Sequence, residues 1–521
     1  MSVNSVRNLL EIAKDIEPKK VALKQASDTL SFEGLLEKVN QISNYFDTLD
    51  LPKGSRVGIY SNKSIEQVIS ILALLSTNLV IVPISRFLKP EQVEHIIKDC
   101  DIKCIITDTT KYEYIKDIEF SGQIITYESV ESDGISFSEL YKYYSKDRVC
   151  SIKGHDSAVI TYSFGATGFP KGIVITHRNL IDGARVVSTY LELKGDDVIS
   201  GLLSFNVDYG LNQIFCALYK KITLAIHKLV LPSDFFNHLL QDEVTVLPLM
   251  PIHIAEMFDE DEHRLPTSSQ LSKIRIITSS GGKITSKMRA DVDKYFPNVK
   301  FFSMHGLSEA FRSAFLDPTQ IKIRPDSIGK AIPDVDLYVI NEKNEPCKAR
   351  EVGELIHRGA CIYKGYWNSR EDTDIRFKSI KILEKVINLE GELTDELVVA
   401  SGDFVYFDEE GYLYFVGRDD DMIKTSGYRV SPIEIESVVA ENIPLINRCA
   451  VFSIENEKIE EEIVLVYSSE SEMSKNEIIF ELKKHLANYM IPSIIVYKKS
   501  IPLYYGEIDK KALKKEIVER V

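Results

Sequence analysis

Apolar residues along most of the chain occur in two alternating arrangements. Short runs such as "RVGIYS", "LVIVPI", "KCIITD" and "QIITY" have the length of buried strands. Longer amphipathic stretches, "SIEQVISILALLS" and "PEQVEHIIKDC", have helical length, and the second begins with a proline, which suits a first helical turn. The alternation continues through "SAVITYS", "ITLAIH", "VTVLPLM", "IRIITSS" and "VKFFSMHG". It predicts an α/β fold with a large N-terminal domain of mostly parallel sheets and packed helices.

The pattern changes toward the C-terminus, after "GELIHRG". The stretch "DFVYFDEEGYLYFVGR" predicts a hairpin, because two alternating strands flank an acidic turn with a glycine. Beyond it, "SPIEIESVVAEN" and "SKNEIIFELKKHLANY" predict helices, and "CAVFSI", "EIVLVYS" and "SIIVY" predict strands. We therefore expect an N-terminal domain at 1–419 and a small α+β domain at 420–521, with the boundary near Asp420.

Composition and charge narrow the class of protein. The 521 residues exceed one ordinary core, and the net charge of -15 argues against a nucleic acid or an acidic membrane as partner. Seven scattered cysteines without C-x-x-C spacing favour buried thiols in a reducing compartment. The N-terminus is charged within a few residues, unlike a signal peptide, and the most apolar stretch is interrupted by polar residues and proline. We expect a cytoplasmic protein without a membrane span.

The first candidate for chemistry is the stretch "YSFGATGFPKG" at 162–172. It lacks the G-x-x-x-x-G-K-[ST] spacing of the common phosphate-binding loop. Gly165, Gly168 and Gly172 nevertheless allow a tight turn whose N–H groups could face an anion, and Lys171 adds a positive charge. The alternative is a mobile glycine turn with a solvated lysine. The stretch alone does not decide between the two.

Four further segments carry a resemblance that covers nearly the whole chain. They are "MHGLSEAFRSAF", "GELIHRG…YKGYW", "SGDFVYFDEEGYLYFVGRDDDMIKTSGYRVSPIEIE" and "LANYMIPSIIV", in that order. The chain resembles the AMP-forming ligase superfamily of acyl-CoA synthetases, amino-acid adenylation domains and D-alanine–carrier-protein ligases. The segments "FNVDYGLNQ" and "GLSEAFRS" are most similar to ligases from bacterial surface-polysaccharide clusters.

The resemblance implies a reaction in two halves. A small-molecule carboxylic acid attacks the α-phosphate of ATP with Mg²⁺, giving an acyl-adenylate and pyrophosphate. A thiol of CoA, or of the phosphopantetheine on an acyl-carrier protein, then displaces AMP. The C-terminal domain is expected to rotate between the halves about a hinge that matches Asp420, because one site cannot hold both a pyrophosphate clamp and a thiol tunnel.

The same resemblance assigns residues to the phosphates and the metal. The loop would wrap the β- and γ-phosphates with Ser163, Gly165, Thr167, Gly168 and Lys171. Phe164 and Ala166 replace a serine and a threonine of the family pattern, so two hydroxyl donors are missing. Glu309 matches the magnesium-binding glutamate, a hard oxygen ligand. Ser308 replaces the usual threonine and keeps its hydroxyl.

Other positions match the nucleoside and thiol sites of the family. His305 stands where an aromatic residue stacks near the adenine, although a structural histidine is the alternative. Asp403 would accept both ribose hydroxyls, with Arg418 donating to the ribose side. The remaining matches are adenine-side glycines and the segment facing the thiol tunnel: Gly281, Gly282, Gly306, Lys424 and Gly427.

The acid-binding pocket should begin in "LSFNVDYGLNQIF". Acyl-CoA synthetases often have a histidine at the position of Val207, which this chain lacks. Asp208 matches an aspartate that pairs with the substrate ammonium in amino-acid-activating relatives. The alternative is that Asp208 only caps the N-terminus of a helix formed by "YGLNQIFCALY". We slightly favour the cap, since it needs no ligand.

The C-terminal segment departs most from the family. Most members read P-x-x-x-x-G-K-[IV]-[DN]-[RK], and the lysine bridges the substrate carboxylate and the α-phosphate. Here Glu507 occupies the lysine position, with Lys510 and Lys511 on the next turn. Adenylation could be slow, another cation could substitute, or the protein could be a partner-dependent or thioester-half-only member. An active ligase and a non-catalytic homologue that binds nucleotide or an acyl group both remain open.

Overall fold

The computed structural model describes most of the chain. The described residues are 3–88, 90–128, 135–143, 151–163, 170–258, 265–391, 395–419, 422–425, 428–456, 460–486, 488–504 and 507–519. The chain divides into two compact units. The first consists of residues 1–337, 356–384 and 388–400, and the second of residues 338–355, 385–387 and 401–521.

The α-helices are numbered here in chain order. They are α1 Val6–Ile16, α2 Phe32–Thr48, α3 Ile65–Leu74, α4 Pro90–Asp99, α5 Thr109–Ile115, α6 Phe137–Leu140, α7 His177–Tyr190, α8 Asp208–Lys220, α9 Pro232–Gln241, α10 Pro251–Met257, α11 Ser286–Tyr295, α12 Arg370–Arg376, α13 Pro432–Asn442, α14 Lys475–Leu482 and α15 Lys510–Val518. Side chains cap several N-termini, as where Ser31 accepts a hydrogen bond from the Gly34 N–H and Thr285 accepts one from Met288.

The first sixteen strands belong to the first unit. They are β1 Val21–Gln25, β2 Asp28–Ser31, β3 Arg56–Tyr60, β4 Val80–Pro83, β5 Ile102–Thr107, β6 Gln123–Thr126, β7 Ile135–Ser136, β8 Ser157–Ser163, β9 Lys171–Thr176, β10 Val198–Ser200, β11 Thr223–Ala225, β12 Val246–Leu249, β13 Ile276–Ser279, β14 Lys300–His305, β15 Ala314–Leu316 and β16 Ser327–Ala331. Strands such as β4 and β12 are buried at every position, as expected where helices cover both faces of a parallel sheet.

The remaining strands follow in the same order. They are β17 Val335–Ile340, β18 Gly353–Gly359, β19 Phe377–Ser379, β20 Leu397–Phe407, β21 Leu413–Arg418, β22 Ile423–Thr425, β23 Tyr428–Val430, β24 Ile446–Asn456, β25 Glu460–Ser469, β26 Ile494–Tyr497, β27 Leu503–Tyr504 and β28 Glu507–Ile508.

Two sheets organise the first unit. One has the order β7-β6-β5-β3-β4-β8-β9, and the other contains the run β16-β15-β14-β13-β12-β10-β11-β1-β2. Most neighbours pair in parallel, including β3 with β4 and β12 with β13, whereas β8–β9 and β14–β15 are antiparallel. The predicted mostly parallel α/β architecture is confirmed.

The second unit is built mainly from antiparallel strands. β20 and β21 form the predicted hairpin, with Asp403 opposite Arg418. A separate sheet has the order β23-β22-β25-β24, and β26 adds to β25 in parallel. Helices α13 and α14 cover a core that includes Ile435, Leu465 and Ile478. Helix α14 ends at Leu482, so the predicted helix over "SKNEIIFELKKHLANY" is too long.

The domain boundary predicted at 419/420 remains a prediction, and its hinge residue Asp420 lies outside the described residues. No described helix combines the length and the apolar composition needed to cross a membrane.

Candidate active site

The predicted nucleotide-side residues of the first unit follow the carboxyl ends of neighbouring parallel strands. β12, β13 and β14 lie side by side in register, with Leu249 opposite Ser279 and Ser279 opposite Ser303. Gly281 and Gly282 come just after β13, while His305 ends β14 and Gly306 follows it. In open α/β sheets, ligands bind at this edge. The structure therefore gathers these four sequence-predicted residues at one edge of the sheet.

Two of these glycines are required by local geometry. Gly281 has a φ of +88°, in the left-handed region that a residue with a side chain rarely adopts. At Gly306, an added Cβ would lie 2.7 Å from the Phe311 carbonyl oxygen and 2.9 Å from Arg312 Nη1. Gly306 therefore lets the loop after β14 pack directly against the Arg312 guanidinium.

Glu309 follows β14 at this edge and is a buried carboxylate, with 4% of its surface exposed. Its Oε1 accepts a hydrogen bond from the Tyr366 hydroxyl at 2.5 Å, and Arg376 Nε lies 4.0 Å from the same oxygen. Burial and the adjacent Glu309 charge raise the pKa of Tyr366, so the phenol stays a donor. Oε2 of Glu309 has no hydrogen-bond partner among the described residues.

A buried carboxylate oxygen without a hydrogen-bond partner among the described residues is suited to bind a magnesium ion. No group of three or more His, Cys, Asp or Glu side chains that could hold a metal occurs in the described part of the chain. Mg²⁺ is commonly held by one or two carboxylates together with substrate phosphates and water, so this donor set suits it. Glu309 Oε2 is thus the atom through which the chain would hold the ion.

Lys171 begins β9 and pairs in register with Ser163, so the two residues flank the glycine-rich loop. Its Nζ donates to Asp372 Oδ1 at 2.6 Å. Burial would raise the pKa of Asp372, but hydrogen bonds from Lys171 and Ser369 outweigh it and lower that pKa. The lysine is therefore ion-paired in this conformation, not freely solvated as the glycine-turn alternative supposed.

Strand β9 connects the loop to the Glu309 environment. Ile173 forms an antiparallel bridge with Tyr366, and the Trp367 N–H donates to the Gly172 carbonyl at 2.8 Å. Tyr366, which binds Glu309, therefore belongs to a segment paired with the strand of Lys171. The structure thus links the predicted phosphate lysine and the predicted metal ligand through one short segment.

Helix α8 brings the predicted substrate residue to the same sheet edge. Tyr209, in its first turn, hydrogen-bonds Thr278 of β13 at 2.6 Å between hydroxyl oxygens. Asp208 is the first residue of α8, and Val207 occupies the N-cap position without a side-chain cap bond. The alternative that Asp208 is the N-cap is therefore wrong, because the N-cap lies one residue earlier. Burial raises the pKa of Asp208, while the Arg312 charge and the Tyr209 backbone N–H oppose the rise.

A cavity of about 30 Å³ lies beneath α8. Its polar lining includes Tyr209, Asn212, Gln213, Thr278 and Arg312. Arg312 is 4% exposed, and its Nε and Nη2 have no hydrogen-bond partner among the described residues. The amide oxygen of Gln213 is also without a partner in the same set of residues.

In the second unit, the two predicted ribose residues contact each other. Asp403 is 2% exposed, and its Oδ1 accepts a hydrogen bond from Arg418 Nε at 2.9 Å. The hairpin places them opposite each other, and the Asp403 N–H donates to Ser401 Oγ at 3.0 Å. The guanidinium is thus held beside a carboxylate, as a site for a diol requires.

We expect Asp403→Ala and Arg418→Ala each to weaken ATP binding by about 1.5–3 kcal/mol, because each removes charge-assisted hydrogen bonds. Calorimetric titration with ATP measures the change. Glu409→Ala is a matched control, since Glu409 forms an exposed ion pair with Arg350 in the same unit. Unchanged affinity in both test variants contradicts the ribose assignment.

The C-terminal segment places the divergent residue on a short strand. Glu507 lies in β28, where it pairs with Tyr504 of β27. Lys510 begins α15; its Nζ forms an ion pair with Glu436 at 2.7 Å and donates to the Val451 carbonyl at 3.2 Å. Lys510 is therefore engaged inside the second unit.

Several predicted residues lie outside what the structure describes. These are Gly165, Thr167, Gly168, Asp420 and Gly427. For Ser163, Lys424 and Glu507, the structure describes the backbone only.

The sequence reasoning missed four side chains of the site: Arg312, Tyr366, Asp372 and Arg376. Arg312 and Tyr366 fall inside the segments that carried the resemblance, yet no role was assigned to them. An arginine within the largely apolar "AFRSAF" was the available indication for Arg312. Asp372 and Arg376 lie in α12, where only the fold reveals their contacts.

Two solved structures illustrate the fold that this chain shares with known proteins. o-Succinylbenzoate CoA synthetase of Bacillus subtilis, in complex with its acyl-adenylate intermediate, has a TM-score of 0.82 and 22% identity, covering 97% of this chain and 98% of that one. ATP-bound MatB of Rhodopseudomonas palustris has a TM-score of 0.85 and 22% identity, covering 99% of each chain.

The chain belongs to the AMP-binding enzyme family, whose model matches residues 10–367. Among curated proteins, tyrocidine synthase 1 of Brevibacillus parabrevis is 25% identical over 516 residues, which are 98% of this chain and 45% of that protein. The chain thus spans less than half the length of this relative. The predicted family is confirmed.

Proposed function

We propose that the protein activates a small carboxylic acid with ATP and Mg²⁺ as an acyl-adenylate and then transfers the acyl group to a thiol. The observation that carries this proposal is Glu309, a buried carboxylate with one unpartnered oxygen, linked through Tyr366 to the strand of Lys171. A negative site for a metal and a positive group for phosphate are the two charges that ATP-dependent adenylation needs.

Each charged group has a defined task in this proposal. Glu309 holds Mg²⁺, which neutralises phosphate charge when bound. Lys171 exchanges Asp372 for the β- and γ-phosphates, since a triphosphate offers it more negative charge than one carboxylate does. Asp403 accepts the ribose hydroxyls and Arg418 donates beside them. Pyrophosphate leaves when the acid carboxylate attacks the α-phosphate.

The thiol acceptor is CoA or the phosphopantetheine of a carrier protein. Similarity to tyrocidine synthase 1 supports a carrier protein, and the fold shared with a CoA synthetase supports CoA. The predicted hinge near Asp420 would let the predicted C-terminal domain, residues 420–521, present Lys424 and Gly427 to the thiol. We expect this chemistry in the cytoplasm, consistent with the six described cysteines being free.

A second candidate function is supported by Glu507, which replaces the adenylation lysine of the family pattern. In that case the protein binds a nucleotide or an acyl-adenylate with a partner and performs at most the thioester half. The carboxylate at this position is the specific feature that favours it.

Trapping with hydroxylamine tests the proposal. Incubated with ATP, Mg²⁺, hydroxylamine and a panel of acids, the protein should form a hydroxamate together with AMP and pyrophosphate. The control omits the acid. Release of ADP and phosphate instead of AMP and pyrophosphate contradicts an adenylate-forming reaction.

Asp208→Ala tests whether the acid carries an amine. If Asp208 pairs with an ammonium, the variant should have a kcat/KM for amino acids or ω-amino acids that is lower by about 10-fold or more, because a charge-assisted bond is removed. Its kcat/KM for simple acids should not change. Initial rates across amino acids and their deaminated analogues measure this. A wild-type preference for plain fatty acids that the variant leaves unaltered contradicts an ammonium partner for Asp208.

A further inference from the structure

Arg312 is a buried cation that forms no ion pair among the described residues. Its side chain lines the cavity under α8, and only Nη1 has a described partner, the Phe311 carbonyl at a long 3.4 Å. Among the described residues, no carboxylate oxygen lies within 4.0 Å of it, and Nε and Nη2 have no hydrogen-bond partner. Buried charges in proteins are normally paired, so this arrangement calls for an explanation.

The surroundings hold the guanidinium in place without satisfying its donors. Its central carbon lies 4.4 Å from the centroid of the Tyr209 ring and 4.7 Å from that of Phe311. Such contacts stabilise the positive charge but leave the in-plane N–H groups directed elsewhere. The rest of the cavity wall is largely apolar, including Leu191, Ile199, Val246 and Met304. Arg312 is therefore the only charged side chain among the described residues that line the cavity.

We propose that Arg312 binds a second carboxylate, at the far end of the acid substrate. This inference rests on the proposed function and names the substrate class of that site. A guanidinium offers a planar pair of donors that matches a carboxylate. The cavity volume of about 30 Å³ admits a small polar group but not a long alkyl chain.

The position of Arg312 connects the cavity to the reaction site. Gly306 has no Cβ and so allows Nη1 to approach the loop that leads to Glu309. A short acid could therefore place its reacting carboxylate near this loop and its second carboxylate on Arg312.

Asp208 narrows the class of acid substrate further. It directly precedes Tyr209, whose ring lies 4.4 Å from the Arg312 guanidinium carbon, and it forms no ion pair with Arg312 within 4.0 Å among the described residues. An acidic amino acid would supply an ammonium to Asp208 and a tail carboxylate to Arg312. A plain dicarboxylate would satisfy only Arg312, so we expect aspartate or glutamate to be better ligands than succinate or glutarate.

Binding and exchange measurements with matched ligands test the proposal. The panel consists of aspartate, glutamate, succinate and glutarate, with asparagine, glutamine, butyrate and valerate as analogues lacking the second carboxylate. We expect calorimetric titration of the full chain to show binding of at least one of the first four, about 10- to 100-fold tighter than that of its analogue. ATP–pyrophosphate exchange is measured with the same panel.

Arg312→Met should abolish this preference, because it removes the guanidinium donors and keeps a long unbranched side chain in the cavity. Arg312→Lys should restore part of the preference. Arg275→Met is the matched control: Arg275 Nε donates to Asp197 at 2.8 Å, so this variant should melt lower and keep the preference.

The outcomes separate the inference from the proposed function. In one outcome, a ligand with a second carboxylate binds more tightly than its analogue and Arg312→Met removes this preference, but no acid supports ATP–pyrophosphate exchange. This outcome supports the inference and contradicts the proposed function. Exchange with monocarboxylates at equal affinity overturns the inference alone. Three further results overturn the inference. The first is that no dicarboxylate binds, and the second is that the carboxamides bind best, which would assign the cavity to Gln213. The third is that Arg312→Met lowers the melting temperature and weakens the binding of all acids equally.

Discussion

Replacing Glu507 with lysine is expected to accelerate the adenylation half-reaction by roughly a thousandfold. Near a triphosphate, a unit charge at about 4 Å is worth about 4 kcal/mol at an effective dielectric near 20, which corresponds to this factor. Reversing the sign removes a repulsion and adds an attraction, both reduced by Mg²⁺ and water. The natural protein should accordingly adenylate slowly.

The thioester half should respond much less, because it is expected to use another face of the C-terminal domain. We expect the natural protein to convert a supplied acyl-adenylate to thioester at a rate normal for the family. Glu507→Gln serves as the control that removes the charge without reversing it, and it should give an intermediate gain. Single-turnover measurements of each half-reaction provide the comparison.

Fast adenylation by the natural protein, with no gain in Glu507→Lys, would show that another cation already acts. Lys510 would be tested first, by Lys510→Ala. Its ion pair with Glu436 at 2.7 Å must break before its ammonium can reach a phosphate, and this cost argues against it. Lys511 on the same helix would be the next variant.

Glu309→Gln is expected to lower kcat/KM for adenylation by about a thousandfold and to raise the Mg²⁺ concentration needed. The substitution keeps the shape of the side chain but removes the charge that Oε2 offers to the ion, a loss of about 4 kcal/mol by the same electrostatic argument. Titration with MgCl₂ at fixed ATP measures both effects.

Tyr366→Phe is the matched control for Glu309. It deletes the hydrogen bond to Oε1 and leaves the carboxylate charge, so the loss should be about 1 kcal/mol, or less than tenfold. The two variants should not be additive, since the residues are in contact. An unchanged Mg²⁺ dependence in Glu309→Gln would assign Glu309 a purely structural role.

The alternating helices and strands of the first unit were predictable because their apolar periodicity is local. β3, β4 and β5 appear where "RVGIYS", "LVIVPI" and "KCIITD" placed them. Helix α14 was predicted too long because "KKHLANY" continues the amphipathic pattern, whereas the structure ends the helix at Leu482. The periodicity of apolar residues predicts the presence of a helix or strand well but predicts its end poorly.

Contacts between distant side chains were not predictable in the same way. Lys171 and Asp372 are 201 positions apart, and Tyr366 and Glu309 are 57 apart, so only the fold reveals these pairs. The family resemblance supplied Glu309, Asp403 and Arg418 as isolated positions. The structure added which atoms are engaged and which, like Glu309 Oε2 and Arg312 Nη2, have no partner among the described residues.

The central claim is that this chain forms an adenylate from a carboxylic acid and ATP. Isotope exchange between pyrophosphate and ATP tests it most directly, with the natural protein and Glu507→Lys assayed side by side across the acid panel. The account predicts exchange that requires both Mg²⁺ and an acid, slow in the natural protein and much faster in Glu507→Lys. The absence of acid-dependent exchange in both proteins would contradict it.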